Sequence, residues 1–374
     1  MGPTVGISGG GQLAWMLLPA AARLGLPTVL LAGRGDPAAA LCCEVEVGTP
    51  DAEGLRRLAD RCDVLTVEHE LVDRGTLAAL ASEGKEVWPS AATLDIANDK
   101  LRQREVLGVA GVPLAPWIRA DGRADLESYV ALHGTSLTCK RPSGGYDGRG
   151  VWFVTGVDAA AAVLDDVDGP LLVEPQLPFE RELAVLVARR PGGQTVVYDP
   201  VQTVQEDGMC REVLLPAPVE PAVADEARRI GLLVAETVGS VGMLAIELFQ
   251  VDGKVLFNEI AARPHNAGHV TIEGAVTSQF ENHLRGICDL PLGSTATRAP
   301  AAMVNVVGEH GDPRDRIAQA LQVDDVAVHL YGKGPRPGRK LGHVTAVTAV
   351  GDHVDDAVRR ARRAAAILAG GAAR

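Results

Sequence analysis

Two glutamates, Glu247 and Glu259, flank an Asp252-Gly253 pair in the stretch "AIELFQVDGKVLFNEIAARPHNAGH", residues 245 to 269. Paired carboxylates suit magnesium, a hard cation that takes a few protein oxygens and completes its shell with water and substrate phosphates. Whether the two meet depends on register. A strict two-residue Asp-Gly turn sets Glu247 opposite Asn258 and turns Glu259 to the other face. One extra residue, in the loop or as a bulge, sets the two glutamates opposite each other. Directly afterwards, Arg263, His265, Asn266 and His269 crowd into seven residues. That density of polar groups suits a reaction centre better than a connector.

A second candidate is "KRPSGGYDGRG", residues 140 to 150. A glycine-rich loop can lie against phosphates and offer backbone N–H groups with no side chain in the way. Lys140, at the end of a short strand, supplies a point charge for the same phosphates. The loop lacks the Gly-Lys-Ser/Thr ending of a Walker sequence. A solvent-exposed hairpin tip is the plain alternative, but it has no need of Tyr146, Asp147 and Arg149 together. In "LLVEPQLPFERELAVLV", Glu174 ends one strand and Glu182 begins the next. Such a hinge can hold an adenine and its ribose. In "TVEHELV", Glu68 and Glu70 stand at the C-terminal end of a parallel strand, where α/β sheets bind ligands. "SGGGQLA", residues 8 to 14, is a strand-to-helix turn of the kind that favours anions. Its glycines do not follow the G-x-G-x-x-G spacing of a dinucleotide site.

These groups must be positioned by a chain of 374 residues that is 47% hydrophobic and 3% aromatic, so alanine, valine and leucine fill the core. The size suggests two or three domains. The opening third reads as alternating strand and helix: strand 5–8, helix 12–24, strand 27–32, strand 44–47, helix 52–59, strand 64–67, helix 75–83 and strand 86–88. That pattern predicts a parallel α/β unit. A helix beginning near Lys100 stops at Gly111, with Pro113 beyond it. From Leu137 onward, short strands bounded by Gly-Gly and Asp-Gly predict antiparallel hairpins, interrupted by a helix over 221–239 and closed by a terminal helix over 354–370. The formal net charge of −12 speaks against nucleic acid and anionic membrane as partners. One local exception is "YGKGPRPGRK", residues 331 to 340, with Lys333, Arg336, Arg339 and Lys340. Six scattered cysteines form no CxxC pair, so buried thiols are expected rather than disulfides or zinc. No apolar run reaches membrane-spanning length. The N-terminus carries no secretion signal, and the expected compartment is the cytoplasm.

Together these stretches resemble the ATP-grasp ligases and, among them, the N5-carboxyaminoimidazole ribonucleotide synthetases of purine biosynthesis. The likeness runs from "GGGQL" to "RPGRKLGHVT" and is most specific in "GGYDGRG", "NEIAARPHNAGHVTIEGAVTSQFENHLR" and "LYGKGPRPGRKLGHVT". The resemblance implies a Rossmann-like parallel α/β domain over 1–95, an α+β lid over 96–180, an ATP-grasp core over 181–298 and a small β-rich domain with a terminal helix over 299–374. It implies an ATP- and bicarbonate-dependent carboxylation of the 5-amino group of aminoimidazole ribonucleotide through carboxyphosphate, with one or two magnesium ions, in a homodimer.

The resemblance also implies roles. Lys100, Lys140, Gly144, Gly145, Gly148 and Arg149 would hold ATP phosphates. Glu174, Leu177, Glu182 and Gln205 would surround adenine and ribose. Glu247 and Glu259 would carry magnesium, with Asn258 beside them at the nucleotide. Arg263, His265 and Asn266 would serve catalysis. Gln12, Glu68, Tyr146, Asp147, Lys333, Arg339 and Lys340 would bind the ribonucleotide. The chain departs from the family pattern at Trp15, usually arginine, and at Val151, usually glutamine. It departs again at Gln205, usually histidine, and at Ala267, usually serine. None of these removes a magnesium ligand or a phosphate lysine. They bear on which amine is accepted, and a relative that carboxylates or ligates a different amine is the alternative.

Overall fold

The structure, a computed structural model, describes residues 2–145, 148–308, 310–348 and 353–371. The chain opens with β1 (Val5–Ser8), α1 (Gln12–Leu24), β2 (Thr28–Ala32), β3 (Val45–Val47), α2 (Ala52–Ala59), β4 (Val64–Val67), α3 (Arg74–Ser82) and β5 (Glu86–Val87). The strands are short and apolar because helices cover both faces, and they pair in parallel in the order β3-β2-β1-β4-β5. The chain leaves β1 in one direction toward β3 and returns to its other side at β4. That reversal opens a crevice at the strands' C-terminal ends. The turn over residues 9–11 and Glu68 stand there.

Two helices lead out of this unit, α4 (Ala91–Ala97) and α5 (Lys100–Val109). The Asp99 carboxylate caps α5 by accepting from the N–H groups of Leu101 and Arg102. Lys100 and Arg104 then lie one turn apart on the same face. The lid follows: β6 (Ile118–Ala120), α6 (Arg123–His133), β7 (Ser136–Lys140), β8 (Val151–Thr155), α7 (Gly156–Asp166) and β9 (Leu171–Pro175), in the antiparallel order β6-β9-β7-β8. It has its own core, in which Leu126, Tyr129, Leu137, Cys139, Ala160 and Val173 pack together.

The remainder is built on one antiparallel sheet. Its strands are β10 (Arg181–Arg189), β11 (Thr195–Val197), β12 (Val201–Glu206), β13 (Met209–Leu215), β14 (Gly242–Val251), β15 (Lys254–Ala261), β16 (Ala301–Val307), β17 (Val326–Leu330) and β18 (Lys340–Val347). Its helices are α8 (Pro221–Thr237), α9 (Thr271–Gly274), α10 (Gln279–Ile287), α11 (Ile317–Ala320) and α12 (Val354–Ala369). The path β15-β14-β10-β12-β13-β16-β18-β17 runs unbroken from the middle of the chain into its last segment, with β11 added at β10. Ile230 and Val234 of α8 share a buried cluster with Leu55 and Leu58 of α2 and with Leu244 and Phe257 of the sheet. The parallel unit and the antiparallel sheet are therefore held together by a common core.

Candidate active site

The hairpin β14–β15 resolves the register. Asp252 and Gly253 both take positive φ, 49° and 72°, so the turn is a tight two-residue one, and Val251 pairs with Lys254. The pairing slips by one residue between Glu247 and Leu248, and beyond the slip Glu247 faces Glu259 directly. Asn258 is the extra residue of the bulge. Strict turn and bulge thus occur in the same hairpin, and the bulge is what brings the two carboxylates together. Glu182 of β10 lies diagonally across from Glu247 on the same face, because Ala184 pairs with Glu247 and Glu182 with Phe249. Gln205 of β12 is hydrogen-bonded to Glu182.

Cations meet this acidic face from the lid side. Lys140 ends β7 almost fully buried. Its Nζ donates to Glu174 Oε2 at 2.7 Å and to Asn258 Oδ1 at 3.0 Å. Arg104 donates to the other oxygen of Glu174 at 2.8 Å and stacks its guanidinium 5.1 Å from the Phe257 ring centroid. The Lys100 ammonium sits on Glu259. Burial alone would push the Glu174 carboxyl up, but the charges and hydrogen bonds of Lys140 and Arg104 outweigh it and hold it at about 2. Both oxygens of Glu174 are thus taken by cations. Burial, with Lys140 and Arg104 nearby, lowers Lys100 to about 8. At Glu247 and Glu182 burial outweighs the cations nearby, which for Glu247 are Lys100, Lys140, Lys340 and Arg263. Burial raises both, Glu182 to about 7, with Glu247 as its second cause.

This donor set suits magnesium: two facing, half-buried carboxylates with an amide oxygen beside them. Among the described residues, no cluster of three or more His, Cys, Asp or Glu forms a metal cage.

The polar cluster after β15 abuts the same carboxylates. His265 Nε2 stands 3.5 Å from Glu247 Oε1. The distance alone would make an ion pair. Burial, reinforced by Arg263 and Lys340, pushes the imidazole down to about 3, so His265 is neutral and the contact is not one between full charges. Arg263 Nε donates to Glu70 Oε2 at 2.9 Å, tying the cluster to the loop after β4. Gln279, at the start of α10, accepts from the His265 N–H and donates to the His265 carbonyl and to His269 Nδ1. Asn266 and Asn305 exchange two amide hydrogen bonds, 2.7 and 3.1 Å.

At the far end, Glu68 accepts from the N–H groups of Gly11 at 2.6 Å and Ala14 at 2.9 Å. The helix N-terminus thus carries an internal anion, which explains the glycines. A Cβ at Gly9 would sit 2.3 Å from Glu68 Cγ, and one at Gly11 would sit 2.6 Å from Glu68 Oε1. A crevice of about 300 Å³ opens beside this turn, reaching Asp36, Thr49 and His69. Lys333 Nζ donates to Gln12 Oε1 at 2.6 Å, so two expected ribonucleotide residues 321 positions apart meet. Arg339 and Lys340 are half-buried in the same loop.

Tyr146 and Asp147 lie outside the described residues. Their neighbours Gly144, Gly145, Gly148 and Arg149 are exposed at the lid edge, and a Cβ at Gly148 would come within 3.0 Å of Gly208 Cα in the β12–β13 turn. Leu177 is half-buried in the segment between β9 and β10. Sequence reasoning missed Arg104, Gln279 and Asn305. Asn305 had a signal, as the one polar residue in the apolar strand "AAMVNVV". Arg104 had only its spacing from Lys100.

Three domain families match this chain in order: a ribonucleotide synthetase preATP-grasp domain over residues 2–98, an ATP-grasp domain over 105–280, and a phosphoribosylaminoimidazole carboxylase C-terminal domain over 301–357. The fold and these matches define an ATP-grasp ligase. The chain is 42% identical over 355 residues to the N5-carboxyaminoimidazole ribonucleotide synthase of Mycobacterium tuberculosis H37Rv, covering 91% of this chain and 83% of that one. It is 38% identical to the synthase of Corynebacterium ammoniagenes, covering 97% and 91%. The synthase of Aspergillus clavatus, solved with ADP and 5-aminoimidazole ribonucleotide, superposes with a TM-score of 0.89 at 32% identity, covering 98% of both chains. That of Thermus thermophilus gives 0.87 at 36%, again covering 98% of both. The chain belongs to the N5-carboxyaminoimidazole ribonucleotide synthase family. Among its described residues, no helix is long and apolar enough to cross a membrane.

Proposed function

We propose that this enzyme uses ATP and bicarbonate to carboxylate the 5-amino group of aminoimidazole ribonucleotide, giving N5-carboxyaminoimidazole ribonucleotide, ADP and phosphate. One observation carries the reading: the carboxylate pair of an ATP site and the Arg263–His265 cluster share an edge at Glu247, 3.5 Å from His265 Nε2. A reaction that makes an activated phosphate at one site and consumes it at the next needs that adjacency.

In this reading Lys140 and Lys100 draw the phosphates inward, and Asn258 fixes Lys140. Glu182 in its ionised form accepts from the ribose hydroxyls. Glu247 and Glu259 would hold magnesium, which when bound would supply positive charge against the phosphates. A bicarbonate oxygen takes the γ-phosphoryl group and ADP leaves, a transfer that asks for positioning and charge neutralisation. The carboxyphosphate lies against Arg263, whose guanidinium is aimed by Glu70. The substrate's amine attacks the carboxyl carbon, the C–O bond to phosphate breaks, and the amine loses a proton. His265, held at about 3, is too weak a base to take it, so the departing phosphate accepts the proton while the neutral imidazole lines the site. Carboxyphosphate hydrolyses readily, so a glycine loop lying over the β12–β13 turn to exclude water has a purpose. Gln12, Lys333, Arg339 and Lys340 hold the ribonucleotide, with Tyr146 and Asp147 facing it.

The test is ADP release with aminoimidazole ribonucleotide and with a panel of other amines, each with and without bicarbonate. Bicarbonate-dependent turnover with the ribonucleotide is expected. Turnover with a different amine and none with the ribonucleotide would overturn the reading in favour of a relative in specialised metabolism. The assembly is proposed as a homodimer in the cytoplasm. Light scattering should return twice the chain mass, and the chain mass alone would refute the dimer.

A further inference from the structure

Tyr331 directly follows β17, at the start of the basic loop, and it is fully buried. Its hydroxyl is hydrogen-bonded with His343 Nδ1 at 2.7 Å. The His343 ring stacks on His329 at 4.4 Å and 16°, and His329 is hydrogen-bonded in turn to Glu273 at 2.8 Å. The Tyr331 ring is therefore held at its hydroxyl edge by buried His343, which is backed by half-buried His329 and Glu273. Above it, Lys333 Nζ lies 5.4 Å from the ring centroid while donating to Gln12. The residue between them fixes the direction of the chain. Gly332 takes a φ of +67°, and a Cβ there would collide with the Trp15 ring at 2.7 Å. Glycine is thus favoured at the turn beside Trp15, after which Lys333 lies over the tyrosine face.

We propose that Tyr331 is a positioning residue for ribonucleotide binding, its anchored ring holding the Lys333 ammonium over its face and toward Gln12. This rests on the reading of Lys333 as a ribonucleotide contact. An ammonium over an aromatic face is attracted by the ring quadrupole. A long lysine side chain otherwise spreads over many rotamers, and each one removed before binding improves affinity. The site gains a pre-aimed cation with no further charge on the protein.

The experiment grades the ring's electrostatics from a phenylalanine reference, in which the hydroxyl bond to His343 is absent throughout and every comparison is made along the fluorine series. Residue 331 is replaced by phenylalanine and then by mono-, di- and trifluorophenylalanine, and KM is measured for the ribonucleotide and for ATP. Expected is a stepwise rise in ribonucleotide KM along the series, about two- to thirty-fold at the end. The ATP KM and the melting temperature should stay level. A merely structural tyrosine would give no slope, and a flat series overturns the inference. In a Lys333→Met background the slope should vanish, and a slope that persists there also overturns it. If Lys333→Met itself leaves the ribonucleotide KM unchanged, the role of Lys333 falls, and this inference with it. If Lys333→Met raises that KM and the fluorine series is flat, only the inference falls.

Discussion

Glu259 is opposed by Glu247 across the strand pair and by Lys100 from the lid side. Glu259→Gln keeps the shape and removes the charge. Turnover should fall by at least about a hundred-fold, since removing a group that stabilises transferring phosphoryl charge costs several kcal/mol. The fold should remain, because Glu259 is only half-buried. Steady-state ADP release and a melting curve on the same sample check both halves, and near-normal turnover would remove Glu259 from the metal site. Glu182 offers a pH test. Burial first, then Glu247, hold it at about 7, while its hydrogen bond from Gln205 pulls it down. Only the ionised form can accept both ribose hydroxyls, so the ATP KM should fall as pH rises from about 6 to about 8. Gln205→Ala removes the group that favours ionisation, so the whole profile should move to higher pH. A shift to lower pH, or a flat profile, would contradict the assignment.

At the scale of elements, the glycine loop and the bulged hairpin do most to shape the site. Gly148 takes a φ of +75°, and a Cβ there would crowd Gly208 of the β12–β13 turn, which would have to yield. Gly148→Ala places a Cβ 3.0 Å from that backbone in a left-handed conformation that costs roughly 1–2 kcal/mol. The loop is exposed, so the cost should appear on nucleotide binding rather than on folding. The ATP KM is expected to rise about five- to thirty-fold with an unchanged melting temperature. A lowered melting temperature with an unchanged KM would show that the loop does not serve the nucleotide. The hairpin also shows what the residues could and could not reveal. Asp-Gly between apolar runs announced the turn, and the facing glutamates announced the need for a bulge. The position of the bulge followed only from pairing in three dimensions. The opening βαβ pattern was legible because buried parallel strands are short, apolar and bounded by glycine. The helix α6 was not, because "RADLESYVALH" carries no strong apolar stripe. The partnership of Lys140, Glu174 and Arg104 was hidden as well, since it joins a helix to two strands of another sheet.

Across the whole molecule, the ribonucleotide end of the site is assembled from distant parts of the chain. Lys333 reaches Gln12, and Glu70 of the parallel unit reaches Arg263 beyond β15. The protein carries a net charge of −12, so in the proposed reading a phosphorylated substrate is repelled at long range and captured by the local cations of residues 333–340. Lys333, Arg339 and Lys340 are half-buried rather than buried, so salt screens them in part. The Debye length falls from about 10 Å at about 0.1 M to about 3 Å at about 1 M. Raising salt weakens both the repulsion and the capture. Capture acts at contact distance and dominates binding, so the ribonucleotide KM should rise several-fold between these limits. Arg339→Ala removes one charge-assisted contact, a loss of roughly 1.5–3 kcal/mol. It should raise the ribonucleotide KM about ten- to a hundred-fold at low salt and flatten its salt dependence. The unphosphorylated riboside should bind weakly to both proteins and respond little to salt. Kinetics of the two proteins with the two substrates at two salt concentrations separates these outcomes. If Arg339→Ala alters ATP binding instead, or if the riboside is used as well as the ribonucleotide, the basic loop is not the phosphate clamp.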